Sequence, residues 1–97
     1  MRIIARSTLN DFVSRYPETK GALDSWYAET KRESWSSPDD VKRRFPKSRA
    51  VGKDRVIFNI MRNKYRLVVK INYKTGIVYI RFVGLHKEYD RIKVEEV

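Results

Sequence analysis

From Arg55 onward the side chains alternate with period two. Val56, Phe58 and Ile60 interleave with Arg55, Ile57 and Asn59; Tyr65, Leu67, Val69, Ile71 and Tyr73 with Arg66, Val68, Lys70 and Asn72; Val78, Ile80 and Phe82 with Tyr79, Arg81 and Val83. This alternation predicts three antiparallel strands, each with an apolar face and a mixed polar face. Upstream the period is helical. After Ser7, expected as an N-cap, Leu9, Phe12, Val13 and Tyr16 recur at i, i+3, i+4 and i+7, and Pro17 ends the helix. A second helix is expected from Glu18 to about Arg32, with Leu23, Trp26 and Tyr27 on its apolar stripe and Gly21 weakening its first turns. Ser37-Pro38-Asp39-Asp40 reads as the start of a third, short helix ending before Pro46. Arg2 to Ala5 is a short strand candidate, and Lys47 to Asp54, which has no period and contains Gly52, is expected as a loop. The fold class is therefore α+β: an N-terminal strand and two helices packed on a small antiparallel sheet, in a single domain over residues 1–97.

Keeping apolar faces together sets the register, because a slip of one residue sends every side chain to the opposite face. A turn at Arg62-Asn63 places Asn59 opposite Arg66 and Arg55 opposite Lys70. For the last hairpin, an even-length loop around Lys74-Thr75-Gly76 is expected to pair Tyr73 with Val78, Ile71 with Ile80 and Val69 with Phe82. On the polar face Lys70 then falls beside Arg81, Asn72 beside Tyr79, and Arg66 beside Leu85, next to His86. Arg55, Asn59, Arg66, Lys70, Asn72, Tyr79 and Arg81 would share that face. Neighbouring cations repel, so such a face calls for a polyanion or an acidic partner over it.

Charge sharpens this picture. The chain carries a formal +10, and its distribution is uneven: Lys42 to Lys74 holds twelve Lys or Arg and one acid, Asp54, a balance of +11, while the rest comes to −1. Such a concentration suits nucleic acid, whose phosphates release counterions as they are neutralised. A solvated basic surface is the bland alternative. The absence of cysteine removes disulfides and thiolate metal sites, and a single histidine without a paired ligand motif argues against a metal centre. Neither a secretory signal nor a run of about 20 apolar residues is present, so no membrane association and a cytoplasmic location are expected.

The only histidine lies in Gly84-Leu85-His86-Lys87-Glu88-Tyr89-Asp90, directly after the last strand. If these residues turn helically, His86, Tyr89 and Asp90 share one face at i, i+3 and i+4. No carboxylate pair has the spacing of a two-metal nuclease, and one histidine cannot run a two-histidine acid and base scheme. Metal-free RNA cleavage by 2′-hydroxyl attack remains; it requires in-line positioning, charge stabilisation and proton transfer. Arg66 and Arg81 offer the charge, His86 the proton transfer, Tyr89 a second proton or a positioning group, Asp90 an anchor for the imidazole, and Asn59 a contact to a base or sugar edge. Arg55, Lys70 and Lys87 would add contacts to the RNA backbone. The assignment of acid and base stays open at this point. A lone histidine is more often a surface residue, Tyr89 can pack on the sheet edge, and Asp90 can pair with Lys87, Arg91 or Lys93.

Three segments carry a resemblance: Val56-Ile57-Phe58-Asn59-Ile60; Asn63-Lys64-Tyr65-Arg66-Leu67-Val68; and Tyr79 through Asp90 with its His-Lys-Glu-Tyr-Asp tail. They resemble the HigB-type toxins, relatives of the RelE messenger-RNA interferases, and the order of elements matches over essentially the full length. The resemblance implies the RelE-like toxin fold and a toxin of a type II toxin-antitoxin pair that cuts mRNA on the ribosome and so inhibits translation. It further implies neutralisation by a HigA-like helix-turn-helix antitoxin; the residues themselves point to a reaction needing no cofactor. It singles out Arg66, His86 and Tyr89, supported by Asn59, Lys70, Arg81 and Asp90. A non-catalytic RNA- or DNA-binding module, or a domain docking an acidic partner, would draw on the same charge without cleavage.

Overall fold

The computed structural model describes residues 1–97 as a five-stranded mixed sheet with its main helices on one face. In chain order the elements are β1 (Arg2–Ile4), α1 (Arg6–Arg15), α2 (Lys20–Lys31), α3 (Pro38–Arg44), β2 (Arg49–Val51), β3 (Arg55–Ile60), β4 (Tyr65–Asn72), β5 (Ile77–Leu85) and α4 (His86–Tyr89). Short 3₁₀ turns, Pro17–Thr19 and Val94–Glu96, precede α2 and follow α4. The strand order is β1-β5-β4-β3-β2, with β1 parallel to β5 and every other pair antiparallel.

The α+β class stands, and α1 and α2 cover the sheet as the periodicity required. Leu9, Phe12, Leu23 and Trp26 are buried against Val56, Phe58, Tyr65, Leu67, Val69, Ile71, Val78 and Ile80 in one core. Each such aliphatic or aromatic side chain stabilises the fold by about 1.5–3 kcal/mol. Pro17 ends α1 as expected but opens a 3₁₀ turn, so α2 begins at Lys20 rather than at Glu18. Ala5, not Ser7, precedes the first helical residue of α1. At α3 the Ser37 side chain makes no cap; Asp40 turns back to accept bonds from the Ser36 amide and hydroxyl at 2.8 and 2.9 Å.

Three expectations are corrected. The basic stretch Lys47 to Asp54 is not all loop, because Arg49–Val51 pairs with Ile57–Arg55 as an edge strand. A three-residue strand is too short to display a period. In the last hairpin Asn72 pairs with Ile77, Ile71 with Val78, Lys70 with Tyr79 and Val69 with Ile80, two positions from the expected register, with the faces preserved. A bulge then leaves Arg81 unpaired, and beyond it Val68 meets Phe82 and Arg66 meets Gly84, not Leu85. The extra residue inverts the alternation of β5. Val83 and Leu85 join the helix-side core, whereas Phe82 crosses to the other face.

That second face is not purely polar. Ile57, Val68 and Val94 form a small second core, packed with Val51, Phe82, Tyr89, Ile92 and Val97. The residues after β5 thus fold back over the sheet. They also settle part of its charge: Arg55 donates to the Val97 main-chain oxygen at 2.6 and 3.0 Å and to Asp54 Oδ1 at 2.7 Å, leaving only 11% of its side chain exposed.

Candidate active site

Strand β3 turns into β4 through Met61–Lys64, where Met61, Arg62 and Asn63 all have positive φ, from 52° to 75°. Only asparagine among these tolerates that region readily, and such residues store of order 1–3 kcal/mol of strain each. The turn holds two groups in place. Its Asn63 carbonyl accepts a bond from Arg66 Nη1 at 2.8 Å, and its Lys64 carbonyl accepts the His86 amide at 3.3 Å. Asn59 and Arg66 are cross-strand partners, as a turn at Arg62-Asn63 predicted, and project onto the sheet face opposite the main core.

The other half of the site comes from α4. Gly84 lets it approach: a Cβ there would lie 2.6 Å from Phe82 Cζ and 3.0 Å from Glu88 Oε1. The Leu85 amide donates to Glu88 Oε1 at 2.8 Å, closing the first turn of α4. One turn later the Asp90 amide donates to the His86 carbonyl at 3.0 Å, so His86, Tyr89 and Asp90 share a face. His86 Nε2 stands 3.5 Å from Asp90 Oδ1, with both side chains more than half exposed. The His86 and Tyr89 rings lie 6.4 Å apart.

The two halves meet across an open cleft of about 470 Å³ that contains Asn59, Arg66, His86, Tyr89 and Asp90. The Arg66 guanidinium sits over the Tyr89 ring, 5.6 Å from its centroid, a cation–π arrangement. Arg49 Nη2 donates to the Tyr89 hydroxyl at 3.3 Å. Lys47 and Asn63 complete the polar wall and Ile57 its floor. Three permanent cations, Lys47, Arg49 and Arg66, thus face one carboxylate, Asp90, and the cleft is electropositive. Its potential metal-ligating side chains are His86 and Asp90 alone, and no three His, Cys, Asp or Glu side chains cluster.

Of the residues singled out from sequence, Arg66, His86, Tyr89, Asp90 and Asn59 converge here. Arg55, Lys70, Arg81 and Lys87 do not line the cleft. Arg55 is tied to Asp54 and Val97; Lys70 is half-buried between Arg55 and Tyr79 on neighbouring strands; Arg81 is exposed at the bulge; and Lys87 is exposed on α4. Arg49 and Lys47 escaped the sequence reading because they lie in an aperiodic basic segment. Their only signal there was charge.

Helices on one face of a mixed sheet, with a cationic cleft bearing guanidinium, imidazole and phenol groups on the other, define a small α+β protein with an electropositive cleft. Sequence comparison makes this specific: residues 19–92 match the profile of the HigB toxins, described as the RelE-like toxic component of a toxin-antitoxin system, and the chain belongs to that family. It is similar to the mRNA interferase toxin HigB of Escherichia coli K12, at 29% identity over 93% of this chain and 88% of the relative. A Shigella flexneri mRNA interferase HigB shows the same figures, and that of Escherichia coli CFT073 is 23% identical over 95% of this chain and 91% of its own length.

Proposed function

We propose that this protein is an endoribonuclease toxin that cuts mRNA on the ribosome and so halts translation. The observation that carries the proposal is the convergence of Arg66, His86 and Tyr89, from two distant points of the chain, in one open electropositive cleft. In the reaction the 2′-oxygen attacks the adjacent phosphorus and the bond from phosphorus to the 5′-oxygen breaks. A 2′,3′-cyclic phosphate and a 5′-hydroxyl form, with one proton leaving the 2′-hydroxyl and one reaching the departing oxygen. Arg66, held by the Asn63 carbonyl, presents the rest of its fork to the phosphorane oxygens. His86, accessible and steadied by Asp90, moves a proton, and Tyr89 places the scissile nucleotide between the two arginines. Asn59 meets a base or sugar edge on the cleft wall. Exposed Arg81 and Lys87, with Lys70, extend the positive field for the flanking phosphates, and Arg55 contributes to that field from its bonded position.

The fitting partner is a HigA-like helix-turn-helix antitoxin, and the fitting compartment is the cytoplasm, where translated mRNA resides. No helix is long and apolar enough to cross a membrane. Induced expression of the chain is expected to arrest growth and produce new 5′ ends within open reading frames, mapped by primer extension. His86→Ala and Arg66→Ala should each restore growth and abolish those ends; full toxicity in both variants rules the site out, and salt-sensitive RNA binding without cleavage would mark a non-catalytic module.

A further inference from the structure

A second cavity adjoins the cleft around the open edge of the sheet. Strand β2 pairs only with Arg55–Ile57 of β3, so Phe58, Asn59 and Ile60 have no outer neighbour strand. Beside them, on the helix side, lies an apolar groove of about 400 Å³ walled by Trp26, Phe45, Phe58 and Met61. Met61 is the chain's one exposed large hydrophobic residue, 38% exposed in the strained turn. Lys47 and Asn59 line both the groove and the cleft, so a single wall separates them. The indole Nε1–H of Trp26 is buried with no acceptor, although the residue is only 3% exposed.

We infer that this groove is a nucleobase pocket, taking the base of a nucleotide that flanks the phosphate held at Arg66. The inference rests on the proposed RNA cleavage and assigns it a specificity subsite. An RNA strand leaving the cleft meets Lys47 at the sheet edge, which receives its phosphate, and the flat apolar groove directly behind receives its base. The aromatic side chains on the groove wall, Trp26, Phe45 and Phe58, suit a flat base, and Lys47, where the groove meets the cleft, suits the phosphate next to it.

The test is a titration of the full chain with a non-cleavable 2′-O-methyl oligoribonucleotide, followed through the two indole N–H resonances in NMR. Trp26 is expected to shift. Trp35, whose Nε1 is equally buried and unpaired but which lies outside the groove, is expected to stay. Ser25→Phe, on the exposed side of α2 at the groove, should fill it and weaken oligonucleotide binding about tenfold, with Ala22→Leu as a milder second variant. In cells, Ser25→Phe should still cut transcripts but lose the nucleotide preference beside the cut. A stationary Trp26 resonance, or unchanged affinity and cut-site preference in both folded variants, overturns the pocket. Unchanged RNA binding together with escape from neutralisation by the cognate antitoxin overturns it too and gives the groove to the protein partner. If the oligonucleotide moves Trp26 but wild-type protein cuts nothing, cleavage fails while base binding stands.

Discussion

The guanidinium of Arg66 lies over the ring of Tyr89, 5.6 Å from its centroid, although the two residues come from a sheet strand and a short helix. Its Nη1 is taken by the Asn63 carbonyl, so the planar fork is fixed on one side and free on the other. A lysine at this position keeps the charge but loses both the stacking and the second donor. Arg66→Lys should therefore lower RNA cleavage by roughly 10²-fold, the scale of losing one preorganised donor to a developing negative charge. Unfolding free energy should fall by no more than about 1 kcal/mol, the scale of an exposed cation–π contact. Urea titration beside single-turnover cleavage separates the two effects; a loss of activity matched by a loss of stability would assign Arg66 to the scaffold.

Gly84 faces Arg66 across the β4–β5 pair, and its missing Cβ is space already occupied by the Phe82 ring and the Glu88 carboxylate. Gly84→Ala forces one of them to move. Phe82 belongs to the second core and Glu88 holds the first turn of α4, so neither moves freely. Overpacking of this kind costs about 1–3 kcal/mol. The variant should unfold at lower urea and cut more slowly, since α4 carries His86 and Tyr89. Wild-type stability in this variant would mean that the Phe82 ring yields easily.

The part of the fold that burial dictates was readable from sequence. Val56, Phe58, Tyr65, Leu67 and Val69 alternate because one face is buried, and that alternation together with a turn at Arg62-Asn63 placed Asn59 opposite Arg66. The bulge at Arg81 was not readable, because an extra residue in one strand needs no special amino acid, and the alternation of Phe82 and Val83 looks the same in either phase. The convergence of Arg66 with His86 survives this shift for a structural reason: the bulge moves the end of β5 by one position, and α4 starts where β5 stops, still bonded to Lys64. Ile92, Val94 and Val97 show no period, so their packing on Ile57 and Val68 had no sequence signature.

That packing carries a prediction of its own. Val94 is 8% exposed against Ile57 and Val68, and Tyr89 packs on the same cluster. Val94→Ala should cost about 1–2 kcal/mol, by lost burial and a small void. Val94→Asp should cost more, because a carboxylate without a partner would enter the cluster. Both should reduce cleavage more than their loss of stability explains, since Tyr89 loses a neighbour. Activity measured at 10 °C, where either variant is folded, tests this; full activity there would show that the cluster does not position Tyr89.

On the opposite face, the Tyr65 hydroxyl donates to Glu18 Oε2 at 2.5 Å and joins the 3₁₀ turn before α2 to β4. The bond holds the Glu18 carboxyl below its ordinary range, with the nearby Lys64 charge adding to the effect. It pushes the Tyr65 phenol up to about 12, helped by burial. For Glu18, whose folded pKa is depressed, the stabilisation is complete above the unfolded value of about 4.3 and is lost as pH falls through the lower folded value. For Tyr65, whose folded pKa is raised, it is complete below about 10 and lost as pH rises through about 12. One bond produces both limits, so its contribution should be flat across the neutral range and fall at each end. Tyr65→Phe and Glu18→Gln should remove the acid-side slope that this bond gives wild type, and the double variant should behave like either single one. Urea titrations between about pH 3 and pH 8 measure that slope; parallel pH profiles for wild type and Tyr65→Phe would show that the bond does not persist in solution.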